Sequence, residues 1–127
     1  MPEAPLVLIA DDHDDSRVIA RVVVESAGFR VAEARTGPET LRLVRTERPA
    51  IVLLDIVMPE LNGWEVARRM RNDASCSGTV IIAVTALAGA HDREQTIAAG
   101  CDELLTKPVL PRILLSTLRY YAAYPPK

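Results

Sequence analysis

Three stretches of this chain are apolar without interruption, and each stops at a residue that carries chemistry. "LVLIA" (6–10) runs into Asp11-Asp12, "AIVLL" (50–54) into Asp55, and "TVIIAVTA" (79–86) contains Thr85. Short, β-branched runs with no polar alternation are strands covered on both faces. Between them lie segments with helical spacing, so strands and helices alternate. Such alternation leaves little choice beyond a parallel sheet with helices on both sides.

The remaining elements follow from local signals. Residues 15–28 place Val18, Ile19, Val22 and Val23 at helical spacing and end at Gly28. "FRVAEA" (29–34) alternates as a strand with one wetter face. Thr36 and Glu39 form a capping box for a helix that runs up to Pro49. "MPELNG" (58–63) is turn chemistry and 64–73 a helix; 89–99 is a helix stopped by Gly100, and 101–106 a short strand. Pro111 suits the first turn of a last helix. The sum is five strand–helix units in one domain spanning 1–127, with a core of about 5–122 and a loose tail from 123. Right-handed crossovers make this a doubly wound five-stranded sheet.

In such a sheet, ligands bind beyond the carboxyl ends of the strands, where the strand order reverses. Asp11, Asp12, Asp55, Thr85 and Lys107 all stand at predicted strand ends, and only the second strand contributes no comparable group. That pattern fits the order 2-1-3-4-5. Three carboxylates without a counter-ion are costly, and a hard divalent cation resolves the cost. Mg²⁺, or Mn²⁺, takes carboxylate oxygens and leaves positions for phosphate. Lys107 offers a compact positive charge and Thr85 a hydroxyl, both suited to a phosphoryl oxygen. Together they make a kit for phosphoryl transfer, with Asp55, alone at a central strand end, as the nucleophile.

"LIADDHDDSR", "IVLLDIVMPELNGWE", "IIAVTA" and "LLTKP" resemble the four signature segments of response-regulator receiver domains, in order and at matching spacings. The resemblance covers about residues 5 to 122 and implies a flavodoxin-like (βα)5 fold. It implies that Asp55 accepts phosphate from a histidine kinase or a histidine phosphotransfer protein. By the same likeness Asp12 binds Mg²⁺ directly, Asp11 acts through water, and the backbone carbonyl of Val57 completes the protein ligands. Thr85 matches the switch hydroxyl, Lys107 the phosphate-contacting lysine, and Pro108 a proline preceded by a cis peptide. Three positions depart from common family forms. Leu104 stands where an aromatic ring often swings inward, while Val57 and Leu87 put apolar side chains where polar ones often influence the phosphoryl lifetime.

Competing readings are weaker. A Mg²⁺-dependent hydrolase working through an aspartyl-phosphate usually has a second acid two residues after its nucleophile, where this chain has Val57. A flavin carrier would meet an acidic crevice that repels its phosphate. A net charge of −2, with scattered basic residues, offers nothing for nucleic acid or an anionic membrane. No apolar stretch approaches the ~20 residues needed to cross a bilayer, and no signal peptide opens the chain, so the expected location is the cytoplasm. Cys76 and Cys101 have no metal-ligand spacing and read as small hydrophobes. Nothing resembling an output domain follows the last helix, so the expectation is a single-domain regulator or a receiver cut from a larger protein such as a hybrid kinase.

Smaller features complete the expectations. Asp14, Asp15 and Ser16 should cap the first helix; His13, beside the acids, reads as a ligand, a base or a loop residue, and the loop rim is favoured since Mg²⁺ prefers oxygen. The first helix has more apolar width than one sheet contact needs, so one member, Ile19 or Val23, should be an exposed contact.

Overall fold

The computed structural model describes residues 4–87 and 89–125. Five strands and five helices alternate: β1 (Leu6–Ala10), α1 (Asp14–Ser26), β2 (Arg30–Ala34), α2 (Gly37–Glu47), β3 (Ile51–Leu54), α3 (Gly63–Arg71), β4 (Val80–Thr85), α4 (Ala90–Ala98), β5 (Glu103–Thr106) and α5 (Pro111–Ala123). All strand pairs are parallel, in the order β2-β1-β3-β4-β5. The doubly wound sheet and its strand order are as the sequence implies. Element ends move by one or two residues; β5, for example, begins at Glu103 rather than at 101. Helix α5 continues through Ala123, and residues 126 and 127 of the expected tail lie outside the described residues.

The pleat divides the apolar strands between two cores. Leu8, Ala10, Val52, Leu54 and Ile81 face α2 and α3 and pack with Val44, Val66 and Met70. Val7, Ile9, Ile51, Leu53 and Ile82 face α1 and α5 and pack with Val24, Leu114 and Leu118. Burial on both faces explains why these strands carry no polar alternation.

Helix α1 departs from its apolar pattern. Val18, Ile19 and Val22 are 58, 64 and 62% exposed, and only Val23 is half-buried. The inward face is instead Arg17, Ala20 and Val24. Arg17, 5% exposed, is drawn in by Glu33 on β2, by Asp14 and by the carbonyl of Asp11, all of which accept from its guanidinium. Ile19 is exposed as expected, Val23 is not, and two further members of the set are bare. The capping expectation also shifts. His13 is the N-cap residue and its side chain makes no cap bond, while Asp14 and Asp15 occupy the first turn. There their charge favours the helix dipole. In α2, Thr36 accepts from the Glu39 amide (3.2 Å) as a cap should, but the Glu39 carboxylate takes the Arg35 amide (2.8 Å), one residue before the cap.

Candidate phosphoacceptor and cation site

Backbone hydrogen bonds set the site's register. The Asp11 amide donates to Ala34 (3.0 Å), the Asp55 amide to Ala10 (2.9 Å) and the Lys107 amide to Thr85 (3.0 Å). Each functional residue is therefore held by the last rung of a parallel ladder, and β1, β3 and β5 deliver their side chains to one crevice. The loop after β3 returns closely over Asp55. A Cβ at Gly63 would lie 2.5 Å from the Asp55 carbonyl oxygen, so only glycine fits at the start of α3. The Lys107–Pro108 bond is cis, as the likeness to receivers implies.

Lys107 is the centre of the crevice. Its ammonium donates to Asp11 Oδ2 and to Asp55 Oδ2, both at 3.0 Å. Asp55 Oδ1 accepts from the Val57 amide at 3.1 Å. Asp11 and Asp55 are buried, at 6 and 5% exposure, whereas Asp12 is exposed. Burial first, helped by the charge of Asp11, pushes the Asp55 pKa above the ordinary aspartate range against the pull of Lys107 and the Val57 amide. Burial works against the Lys107 ammonium, but its bonds to Asp11 and Asp55 outweigh this and raise its pKa. The pair is thus an ammonium held firmly charged beside a carboxylate that remains short of compensation.

Thr85 is 1% exposed, and its hydroxyl accepts from the Leu87 amide at 3.2 Å. It lies at the end of β4, without a hydrogen bond to Asp55 among those of the described residues. The side chain of Val57 is exposed, and those of Leu87 and Leu104 are half-buried. Trp64, expected as packing, also donates from Nε1 to Thr96 Oγ1 (3.0 Å), joining α3 to α4. Both cysteines are free; burial raises the Cys76 pKa and pushes Cys101 up to about 12, so neither thiol is reactive.

Asp11, Asp12, Asp55 and His13 each offer a ligand atom, and these four atoms lie within 4.8 Å of one another. Three carboxylates against one ammonium fit a divalent cation. His13 lies at the exposed rim of the loop, as expected. Its amide donates to Asp11 Oδ1 (2.9 Å), and this turn brings its ring onto both acids. Arg17, a residue that sequence reasoning passed over, fixes the carbonyl of Asp11 at 2.9 Å. Its only sequence signal is its place in register with Ala20 and Val24.

Residues 7–119 match the model of the response regulator receiver domain. The chain belongs to this family. It is 32% identical over 121 residues to the polar-differentiation response regulator DivK of Brucella anthropi, covering 95% of this chain and 97% of that one. A CheY-like receiver domain protein from Methanospirillum hungatei superposes with a TM-score of 0.89 at 27% identity, covering 95% of both chains. The chemotaxis response regulator CheY4 of Vibrio cholerae gives 0.87 at 27% identity, over 92% of this chain and 98% of that one. The receiver is a two-component signalling module, and the family as a whole works by switching rather than by turning over substrate. Among the described residues, no helix is long and apolar enough to cross a membrane.

Proposed function

We propose that this receiver, as one functional unit over about residues 5–122, takes a phosphoryl group onto Asp55 from a phosphohistidine donor, with Mg²⁺ or Mn²⁺, and thereby alters its contacts with a protein target. The observation that carries this reading is the Lys107 ammonium, at the end of the edge strand β5, 3.0 Å from both Asp11 and Asp55. Asp55 Oδ1 and Oδ2 each accept one protein hydrogen bond, which leaves lone pairs for attack on phosphorus as the phosphorus–nitrogen bond to the donor breaks.

Asp11, Asp12, Asp55 and the Val57 carbonyl are the proposed holders of the cation, which when bound supplies charge neutralisation for the phosphoryl oxygens. Lys107 turns one of its donors to the new phosphoryl group. Thr85, whose hydroxyl oxygen accepts from the Leu87 amide, donates its O–H to a phosphoryl oxygen and draws the segment after β4 with it. Leu104 has no hydroxyl to bury or expose, so the outward change lies in α4 and its flanking loops. Val57 and Leu87 have no side-chain group to orient water, which supports a long-lived phosphoryl state.

The donor, a histidine kinase or phosphotransfer protein, docks on α1. Val18, Ile19 and Val22 are exposed on this helix, and Ile19 lines a cavity of about 400 Å³, with Ala20, Val23, Val84 and Val109, that reaches Asp55 and Lys107. Nothing in the charge balance favours nucleic acid, and the cytoplasm is the compartment that fits such a donor.

Incubation with acetyl phosphate and Mg²⁺, followed by intact mass measurement, tests the reading. Wild type should gain one phosphoryl group, and Asp55→Asn none. A label of equal extent on Asp55→Asn would assign the wrong residue, and multiple turnover of an external phosphomonoester would favour the hydrolase reading instead.

A further inference from the structure

His13 adds a nitrogen atom to an otherwise all-carboxylate group of candidate ligands. Its imidazole Nδ1 lies 3.3 Å from Asp11 Oδ1 and 3.2 Å from Asp12 Oδ1. Ligand atoms sharing one ion at bonds of about 2.1 Å sit roughly 3.0 Å apart in an octahedron and roughly 3.4 Å apart in a tetrahedron. The ring nitrogen therefore already stands at a ligand's separation from both acids. Its position is set by the backbone, because the His13 amide donates to Asp11 Oδ1 (2.9 Å) and folds the loop back over the carboxylate. Nδ1 is within hydrogen-bond reach of Asp11 Oδ1 (3.3 Å), a contact it would give up to bind an ion, and the 65% exposed side chain leaves Nε2 open to water. With Asp55 included, the donor set is three carboxylate oxygens and one imidazole nitrogen.

We propose that His13 is a nitrogen ligand of the acidic site, through which the site prefers divalent transition ions to Mg²⁺. This rests on the reading of Asp11, Asp12 and Asp55 as a divalent-cation site. Oxygen ligands alone serve Mg²⁺ well, whereas an imidazole contributes little to a hard ion and strongly to Co²⁺, Ni²⁺ or Zn²⁺. The position thus acts as a selectivity element, added to a carboxylate set that accepts either class of ion.

The test is calorimetric titration of the full chain with MgCl2 and with NiCl2 at pH 7.5, in a His91→Ala background. The sequence has two histidines, so that background removes the other imidazole. His13→Ala should weaken Ni²⁺ by about tenfold or more while changing Mg²⁺ by less than about twofold. Asp12→Asn should weaken both ions, which ties Ni²⁺ to the acids rather than to a distant group. Because His13 is exposed and its anchoring bond is made by the backbone, His13→Ala should melt as wild type does. An unchanged Ni²⁺ affinity, or equal weakening of Ni²⁺ and Mg²⁺, would overturn the proposal by reducing His13 to a group that only orients the acids. Were neither ion to bind wild type, the cation reading would fall with it. Mg²⁺ binding with Ni²⁺ indifferent to His13 would remove this inference alone.

Discussion

Two charge clusters lie at the same end of the sheet, and they are balanced differently. Beside β2, the guanidinium groups of Arg17, Arg21 and Arg35 meet the carboxylates of Asp14, Glu25 and Glu33. One strand away, Asp11 and Asp55 share a single ammonium, that of Lys107, and Asp12 beside them meets only the His13 ring among the described residues. The acids respond in opposite directions. Glu33 loses some solvation by burial, yet Arg21 and Arg17 hold its pKa below the ordinary glutamate range. At Asp55 burial prevails, and its pKa is raised. A paired cluster anchors a helix to a sheet, whereas a cluster short of positive charge is an invitation to a ligand.

The largest effect should come from the paired cluster. Arg17→Met would leave the Asp11 carbonyl without its buried donor and Glu33 with Arg21 alone, and should cost about 3 kcal/mol in urea unfolding at pH 7. A loss below about 1 kcal/mol would mean that the network is dispensable. The pH dependence has a definite sign. Because the folded pKa of Glu33 is lowered, its contribution is present above the ordinary glutamate range and is lost as pH falls through the folded value. The gap between wild type and Arg17→Met should therefore narrow in acid.

Helix α1 carries both behaviours on its two flanks, which gives a smaller contrast. Val24, fully buried, should lose about 2 kcal/mol on replacement by alanine. Ile19→Lys, on the bare flank, should leave stability within about 0.5 kcal/mol but weaken binding of a phosphodonor's helical bundle, read by surface plasmon resonance. An unaltered donor affinity would remove α1 from the docking surface.

The same contrast explains what the sequence could reveal. Strands β1, β3 and β4 were legible because burial on both faces leaves an unbroken apolar signature, and Asp11, Asp12, Asp55, Thr85 and Lys107 because their spacing follows strand ends. The inward face of α1 was not. An arginine in an apolar helix reads as outward-facing, and its burial is made tolerable by Asp14, by the Asp11 carbonyl and by Glu33, sixteen residues away on another strand. The three valines and isoleucine at 18, 19, 22 and 23 mimic a core stripe, yet the sheet takes Ala20 and Val24 instead, with Val23 only at the margin. His13 lies at the exposed loop rim as expected, but its contact with the acids could not be read from the sequence. Its position depends on a turn closed by its own amide on Asp11, which residue type does not announce.

The claim that the acid cluster is short of positive charge can be measured on the protein without any donor. Wild type and Asp55→Asn are melted at pH 7.5 in EDTA and again in saturating MgCl2. The raised pKa of Asp55 means that its protonated form favours the fold, a contribution lost as pH rises through the folded value, so at pH 7.5 the carboxylate is a burden. Asp55→Asn should therefore melt higher than wild type in EDTA. Mg²⁺ should raise the wild-type midpoint by mass action, and raise that of Asp55→Asn by less. A wild type indifferent to Mg²⁺, together with an Asp55→Asn that melts lower in EDTA, would contradict the account.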